Sequence, residues 1–591
     1  MAELASQPTS VQSIYGWHSE NKLFVNRRYQ RKLVWTLEEK QQLIESILKK
    51  YPIPAILLSE RQDDVGTYEI IDGLQRLNSI VSFIEGSFPT LDGKYFNIDE
   101  FPTAKINRDE EKFTPISDVT TIDRAQVSQI LDYSLAISVM RNATNEEVDD
   151  VFNRINSYGH RLSDQERRQS GVQSLFSETV RKISSTIRGD RSENIISLSA
   201  MPEISIDLPM TRHGYDIKAD NVFWTKQGIL RSTDLRDSMD EQCIADICAS
   251  IVHGTPIERS KSALDDIYTV GSQQSNEIDA ALRVYGEEKL SQEIIYCLSL
   301  IAKIFDVDSG QKKLRDVIFA DRTTNAFPAQ FSLILLAIHK LIKSKKTLND
   351  NDRLIASLNG LSNNIDTSRA STSVENREKN ITIIEAIINK SFIDKDPSDK
   401  IYTSPSSMDI ENIIRQSAME LSRFELKQGL LDLSEDRKEN LDLQSRLFDT
   451  ACAIANNGPD RSGCIILGVA DKKKDAERIQ KMDAITSRQV GDWQIVGVTR
   501  EAKNLKISPE QYHKKIIDLF SNSKLSDALK LSITSSIDYD PYYGLGIIVI
   551  NIPSQKEESY HGDKMFKRNG DNTIEVSSAK EIAQIAKRFS N

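Results

Sequence analysis

Cysteine is scarce and odd in number: Cys243, Cys248, Cys297, Cys452 and Cys464 are all that 591 residues contain. They form no C-x-x-C pair and most stand in apolar stretches, so neither a disulfide framework nor a zinc ribbon is expected, and burial is. The seven histidines are equally dispersed. Without an H-x-x-x-H or H-E-x-x-H pair, the common zinc-hydrolase arrangement is excluded. No apolar run approaches the ~20 residues that a membrane-spanning helix needs. The opening MAELASQPTSVQS lacks a basic segment followed by an apolar one, so no membrane partner is expected, and the cytoplasm is the expected location. A basic surplus is missing too: 76 Lys+Arg stand against 87 Asp+Glu, a net charge of −11. Any contact with nucleic acid must therefore rest on a local basic groove and be salt-sensitive.

What is present is an ordinary globular composition, 39% apolar and 28% charged, in a chain long enough for roughly three to four domains. Over the first ~170 residues, strand-like and helix-like patterns alternate. Thr36-Leu37-Glu38-Glu39 is a capping box, and the helix it opens buries Leu43, Ile44, Ile47 and Leu48 on one face. Tyr51-Pro52-Ile53-Pro54 ends it, because proline cannot continue a helix. Ala55 to Leu58 and Thr67 to Ile71 then read as short buried strands, the second running through Asp72-Gly73-Leu74-Gln75-Arg76 into a helix from Leu77 to Ile84. From about 215 to 392 the pattern is helical, with amphipathic stretches at Glu277–Phe305, Ala329–Ile342 and Asn380–Asn389. Asp394 to Asp409 is rich in Pro, Ser and Asp and reads as a linker. Beyond it, strand signals at Cys464–Val469, Trp493–Val498 and Ile547–Ile552 alternate with helices at Asn440–Ile454 and Pro509–Phe520.

Three clusters carry the chemistry of the front part: Tyr29-Gln30-Arg31 within N-R-R-Y-Q-R-K-L-V-W, then Asp72 to Arg76, then Phe152 to Gly159 with Arg154 and Asn156. Gly73 permits a tight strand-to-helix turn and Asp72 is placed to cap the helix. Amides at the helix start, beside Gln75 and Arg76, form a natural anion site, and Arg28, Arg31 and Arg154 supply guanidinium forks for phosphate oxygens. The same residues also suit plain carboxylate pairing. The ordered set Y-Q-R-x-x-V-W, P-I-P, I-D-G-x-Q-R and F-x-R-I-N-S-x-G-x-x-L-S resembles the N-terminal domain of GmrSD-type restriction endonucleases, a branch of the ParB/sulfiredoxin superfamily. The resemblance spans roughly residues 10–230. It implies binding of a nucleoside triphosphate or modified DNA by Tyr29, Gln30, Arg31, Asp72, Gly73, Gln75, Arg76, Arg154 and Asn156. Leu74 stands where the family pattern has Gln, which leaves hydrolysis an open alternative. The H-N-H nuclease domain that often accompanies this family is not recognisable here.

The rear constellation centres on Met419-Glu420-Leu421-Ser422-Arg423-Phe424-Glu425-Leu426-Lys427. On a strand, Glu425 and Lys427 project to one side, and Glu420 approaches if a turn intervenes. Paired carboxylates are the hard oxygen ligands that Mg²⁺ or Mn²⁺ takes, and a neighbouring lysine suits charge that develops on a phosphate. A surface salt bridge is the plainer reading of the same E-x-K. The order E-x-x-x-x-E-x-K, A-x-A-N-N-G (Ala453 to Gly458), G-x-I-I-L-G-V-x-D and aromatic-x-R-x-G resembles the Schlafen AlbA-like domain over about residues 412–590. The resemblance implies a metal site of Glu420, Glu425 and Asp471 with Lys427 as electrostatic helper, and backbone contacts from Lys567 and Arg568. Pro459-Asp460-Arg461-Ser462 is inserted before the central strand relative to that family's usual pattern.

The expected architecture is a multidomain α+β chain. It comprises a ParB/sulfiredoxin-like α/β module at 10–215, a helical domain at 216–392, a linker at 393–411 and a Schlafen AlbA-like α/β module at 412–591. The expected activity is that of an antiphage defence effector: a metal-dependent endonuclease acting on DNA or RNA, governed by a nucleotide or a nucleic-acid modification, and working as a homo-oligomer. The alternative is a regulator that binds nucleic acid without cutting it while its front module binds or hydrolyses nucleotide.

Overall fold

The computed structural model describes residues 3–589 except 27–32, 34, 63, 111, 114, 117, 159–162, 170–173, 190–194, 202, 206–215, 322, 367, 395–409, 412, 415–416, 418–421, 460, 471, 492 and 571. Tyr29, Gln30, Arg31, Glu420 and Asp471 thus lie outside the described residues, as does the side chain of Asn156. The chain forms two compact units, residues 1–400 and 401–591, and is a multidomain α+β protein. Among the described residues no helix is long and apolar enough to cross a membrane.

The first unit begins with a mixed six-stranded sheet in the spatial order Glu3–Ser10, Ser134–Arg141, Ile56–Glu60, Tyr68–Asp72, Leu23–Asn26, Ile195–Ser197. Alternation along the strands sends neighbouring residues to opposite faces. Ile70 and Val139 join the large core made with helices Val11–Ser19, Leu37–Leu48 and Leu74–Ile84. Ile71 and Met140 instead meet Val148 and Phe152 of helix Asn145–Tyr158 on the other face. The capping box is formed: the Thr36 hydroxyl accepts from the Glu39 amide, and the Glu39 carboxylate accepts from the Thr36 amide. The strands run Ile56–Glu60 and Tyr68–Asp72, and the helix that follows starts at Leu74.

The rest of this unit is mainly helical. The stretch Glu277–Phe305, continuous by pattern, is two helices, Gln273–Tyr285 and Glu287–Ile304, because Gly286 sits between them at φ +92°. The apolar period alone does not betray the break, since Leu282 and Leu290 are buried on either side of it. Helix Leu175–Arg188 packs on Met239–His253 through buried charge: Arg188 bonds Asp240 at 2.6 Å and Glu241 at 3.1 Å. Arg377 forks onto Asp246 at 2.6 and 3.0 Å. A third buried pair joins helices Glu287–Ile304 and Pro328–Lys343, where His339 Nε2 lies 2.7 Å from Glu293 Oε2 and Tyr285 donates to the same carboxylate. Burial alone would raise the Glu293 carboxyl, but hydrogen bonds from His339 and Tyr285 outweigh it and hold the group below its ordinary range. A depressed carboxylate contributes stability above its unfolded pKa that is lost as pH falls through its folded one. Wild type should therefore exceed Glu293→Gln in thermal midpoint near pH 6, by the equivalent of about 1–3 kcal/mol. Below about pH 4, under the usual carboxylate pKa, the difference should shrink. Parallel melts of the two proteins across that range measure it.

The second unit holds a four-stranded sheet in the order Phe424–Lys427, Gly463–Leu467, Ile547–Ile552, Ile537–Asp540. Its first pair is parallel and the others antiparallel. Ile465 and Leu467 face the core built by helices Leu441–Ala455, Pro509–Ser521 and Asp527–Thr534, while Cys464 and Ile466 face a second core with Ile410, Ile414 and Tyr542. In a small sheet Trp493–Ile495 lies between Val469–Ala470 and Arg488–Val490, and Met565–Asn569 with Asn572–Val576 form a hairpin. Where the central strands end, three glycines bring backbones together. The amides of Val496 and Gly497 both donate to the Gly468 carbonyl at 2.9 Å, and the Val498 amide donates to Gly546 at 2.8 Å. A Cβ on Gly497 would stand 2.0 Å from the Leu545 carbonyl oxygen, so no side chain fits. All five cysteines are free and buried, as expected.

Candidate functional site

In the front module the strand-to-helix turn is made by Gly73 at φ +99°, and a Cβ there would meet Ile56 at 2.8 Å. Gly73 itself is the N-cap, with no side-chain cap. The expectation that Asp72 caps this helix is corrected: its carboxylate turns to Arg76, 2.7 Å away and one helical turn on. Arg76 spends the rest of its fork on the carbonyls of Pro54 and Ala55, at 2.6 and 3.2 Å. It thereby ties the P-I-P segment to the turn. The Gln75 side-chain oxygen accepts from the Trp35 amide at 3.3 Å, which brings the end of the first cluster to the second. Arg154 is not brought to this group; it is exposed and pairs with Asp150 of its own helix at 2.9 Å. Asp72, Gly73, Gln75 and Arg76 are thus one tightly bonded turn, with Asp72 its more exposed member.

In the rear module Glu425 and Lys427 lie side by side on strand Phe424–Lys427, as their spacing requires, and form an ion pair. Arg568 completes the cluster from the hairpin: its Nη1 lies 2.9 Å from Glu425 Oε2 and 3.0 Å from the Thr573 hydroxyl, and its Nη2 bonds the Phe424 carbonyl at 3.2 Å. The Arg568 side chain is 1% exposed and that of Glu425 15%. Arg568 therefore faces inward onto Glu425, whereas the family resemblance implies a contact with a nucleic-acid backbone for it. Lys567, its neighbour, is partly exposed and pairs with Glu581 at 2.5 Å. The A-N-N-G element holds the same region together. Asn456, fully buried, donates to the carbonyls of Ser559 and Phe566 and accepts from the Ser559 amide, while Asn457 donates to the Ser422 carbonyl at 2.8 Å.

Sequence reasoning missed a buried knot just beyond the strand. The Glu501 carboxylate, with no exposed surface, accepts from the amides of Leu430 and Leu431 at 2.8 and 3.1 Å and from the Tyr512 hydroxyl at 2.6 Å, and it pairs with Arg500 at 3.2 Å. Arg500 also reaches Asp483 at 3.1 Å and the Gln428 carbonyl at 2.6 Å. Burial pushes the Glu501 carboxyl up against the pull of Arg500, and burial with the Glu501 charge pushes the Tyr512 hydroxyl up. For Asp483, burial is outweighed by hydrogen bonds from Arg437 and Asn504, which keep it low. The adjacent Arg500-Glu501 between Val498 and Ala502 was the one local signal for this knot.

Among the described residues no group of three or more His, Cys, Asp or Glu side chains is placed to hold a metal ion. Of the three acids expected to do so, the described residues supply Glu425 alone, already flanked by two cations. They do not by themselves make a divalent-ion site.

Family models match a stretch in each of the two units. Residues 14–172 match the family model described as GmrSD restriction endonuclease, N-terminal domain, and residues 420–577 match the one described as Schlafen, AlbA_2. No curated protein and no solved structure matches the chain. The chain thus joins a front module resembling the GmrSD restriction endonuclease N-terminal domain to a rear module resembling the Schlafen AlbA-like domain.

Proposed function

We propose that this chain is an antiphage defence effector whose rear module cuts phosphodiester bonds of DNA or RNA with a divalent metal, under control of a nucleotide or a nucleic-acid modification met by the front module. The coarser part, a nuclease-type or nucleic-acid-related function, follows from the two families matched. The observation that carries the finer reading is Glu425 and Lys427 set side by side on a parallel strand pair, Lys427 at its carboxyl end and Glu425 held by Arg568. Glu420, Glu425 and Asp471 would hold Mg²⁺ or Mn²⁺, which when bound polarises a phosphate and acidifies water. Lys427 would offset charge on the phosphate oxygens, and Arg568 orients the Glu425 carboxylate. In the front module, Asp72, Gly73, Gln75 and Arg76 would meet the nucleotide's phosphates together with Tyr29, Gln30, Arg31 and Asn156; Arg154, which pairs with Asp150 away from the turn, would have to leave that partner to join them, and the active form would be a homo-oligomer.

One observation favours a second reading. Glu425 is already compensated by Lys427 and Arg568, a cluster with net positive charge that suits holding a phosphate as well as cutting one. In that case the rear module docks nucleic acid without cleaving it. Incubating the chain with tRNA, phage DNA and plasmid DNA, with and without nucleoside triphosphates and Mg²⁺ or Mn²⁺, separates the two. The nuclease reading expects cleavage that stops with EDTA and is lost in Glu425→Ala. Binding without cleavage under every condition sinks it and leaves the docking reading.

A further inference from the structure

Neither constellation uses a run of cations in the rear unit. Lys472, Lys473 and Lys474 open the helix Lys473–Asp483, and all three are exposed. Lys472 is the N-cap and makes no side-chain cap bond. A helix start carries partial positive charge, so cations there are unfavourable, and stability alone would select Ser, Thr, Asp or Asn at the cap. Among the described residues none of the three lysines has an ion-pair partner. Between 472 and 481 five cations, the three lysines with Arg478 and Lys481, stand against Asp475 and Glu477. The acidic surplus of the chain lies elsewhere: residues 1–400 hold 49 Lys+Arg and 59 Asp+Glu, whereas residues 401–591 hold 27 and 28.

Placement links this run to Glu425 and Lys427. Lys427 is in register with Leu467, and the Gly468 amide donates to the Lys427 carbonyl at 2.8 Å. Lys427 and Leu467 sit at the carboxyl end of the parallel pair, the edge at which α/β sheets receive ligands. From Gly468 the chain reaches Lys472 in four residues, a span of at most ~14 Å. That is about four phosphates along one strand of a duplex. The helix is anchored, not loose: Ala476 and Ile479 are buried against Ala470 and Val496, leaving the lysines outward.

We propose that Lys472, Lys473 and Lys474 form a contact strip for the phosphodiester backbone of nucleic acid, independent of base sequence, beside the Glu425–Lys427 cluster. The proposal rests on reading the rear module as a nucleic-acid module. Its test uses the full chain in EDTA, so that binding is measured without cleavage. Two fluorescein-labelled oligonucleotides of unrelated sequence are titrated by anisotropy between about 50 and 200 mM salt. The Lys472→Ala/Lys473→Ala/Lys474→Ala variant should show a slope of log K against log [salt] smaller by about two to three, since each phosphate contact contributes about 0.7–0.9. Both oligonucleotides should lose affinity alike, and the triple Lys→Glu variant should lose more. Thermal midpoints within a degree or so of wild type would show that the fold is kept. An unchanged slope in the variants, or a loss confined to one oligonucleotide, overturns the strip while leaving the module's reading intact. No binding by the wild type overturns both.

Discussion

Glu501→Ala is expected to cost the rear unit about 3–5 kcal/mol, the range for removing one partner from a buried charged network. The carboxylate takes hydrogen bonds from two backbone amides and a tyrosine hydroxyl, and it neutralises Arg500. Alanine leaves all of those donors buried with nothing to bond, and an unpaired buried donor carries its full desolvation penalty. The loss is directional as well as large. Leu430 and Leu431 follow the strand that carries Glu425 and Lys427, so the exit of that strand loosens when its anchor goes. Calorimetry of the full chain should show the transition of the rear unit displaced downward. Glu501→Gln, which keeps an acceptor oxygen but turns an NH₂ towards one donor, should fall between. A midpoint within a degree of wild type in the alanine variant would contradict this account.

Arg568→Ala separates two descriptions of one residue. If Arg568 is an internal clamp, its loss frees Glu425, the Thr573 hydroxyl and the Phe424 carbonyl from a buried fork, at a cost of about 2–4 kcal/mol. The salt slope of nucleic-acid binding should then stay as it is. If Arg568 were a backbone contact, stability would hold and the slope would drop by about 0.7–0.9. The buried geometry predicts the first outcome. Arg568→Lys should recover little, because an ammonium cannot serve three acceptors from one plane as a guanidinium does.

Local patterns were legible where the physics is local. The capping box at Thr36, the turn at Gly73 and the common side of Glu425 and Lys427 follow from spacing and from what glycine permits. The roles of Asp72 and Arg568 did not follow. Asp72 had two partners within reach, a helix amide and the guanidinium of Arg76, and the charged one prevailed. Arg568 meets Glu425 across 143 positions of sequence, a pairing that no window of periodicity contains. The Glu501 knot was hidden for the same reason: its members come from four separate segments, and only folding makes them neighbours. Tyr29, Gln30, Arg31, Glu420 and Asp471 remain expectations that rest on family resemblance.

The crossing at Gly468, Gly497 and Gly546 has a consequence for hydrogen exchange. The amides of Val496, Gly497 and Val498 are buried and all bonded across this crossing, to the carbonyls of Gly468 and Gly546. Their deuterium uptake should therefore follow global opening of the rear unit and not local fraying. Three consecutive amides then serve as an internal gauge of that unit's folding free energy inside the intact chain, against which the substitutions at Glu501, Arg568 and Lys472 to Lys474 can be read.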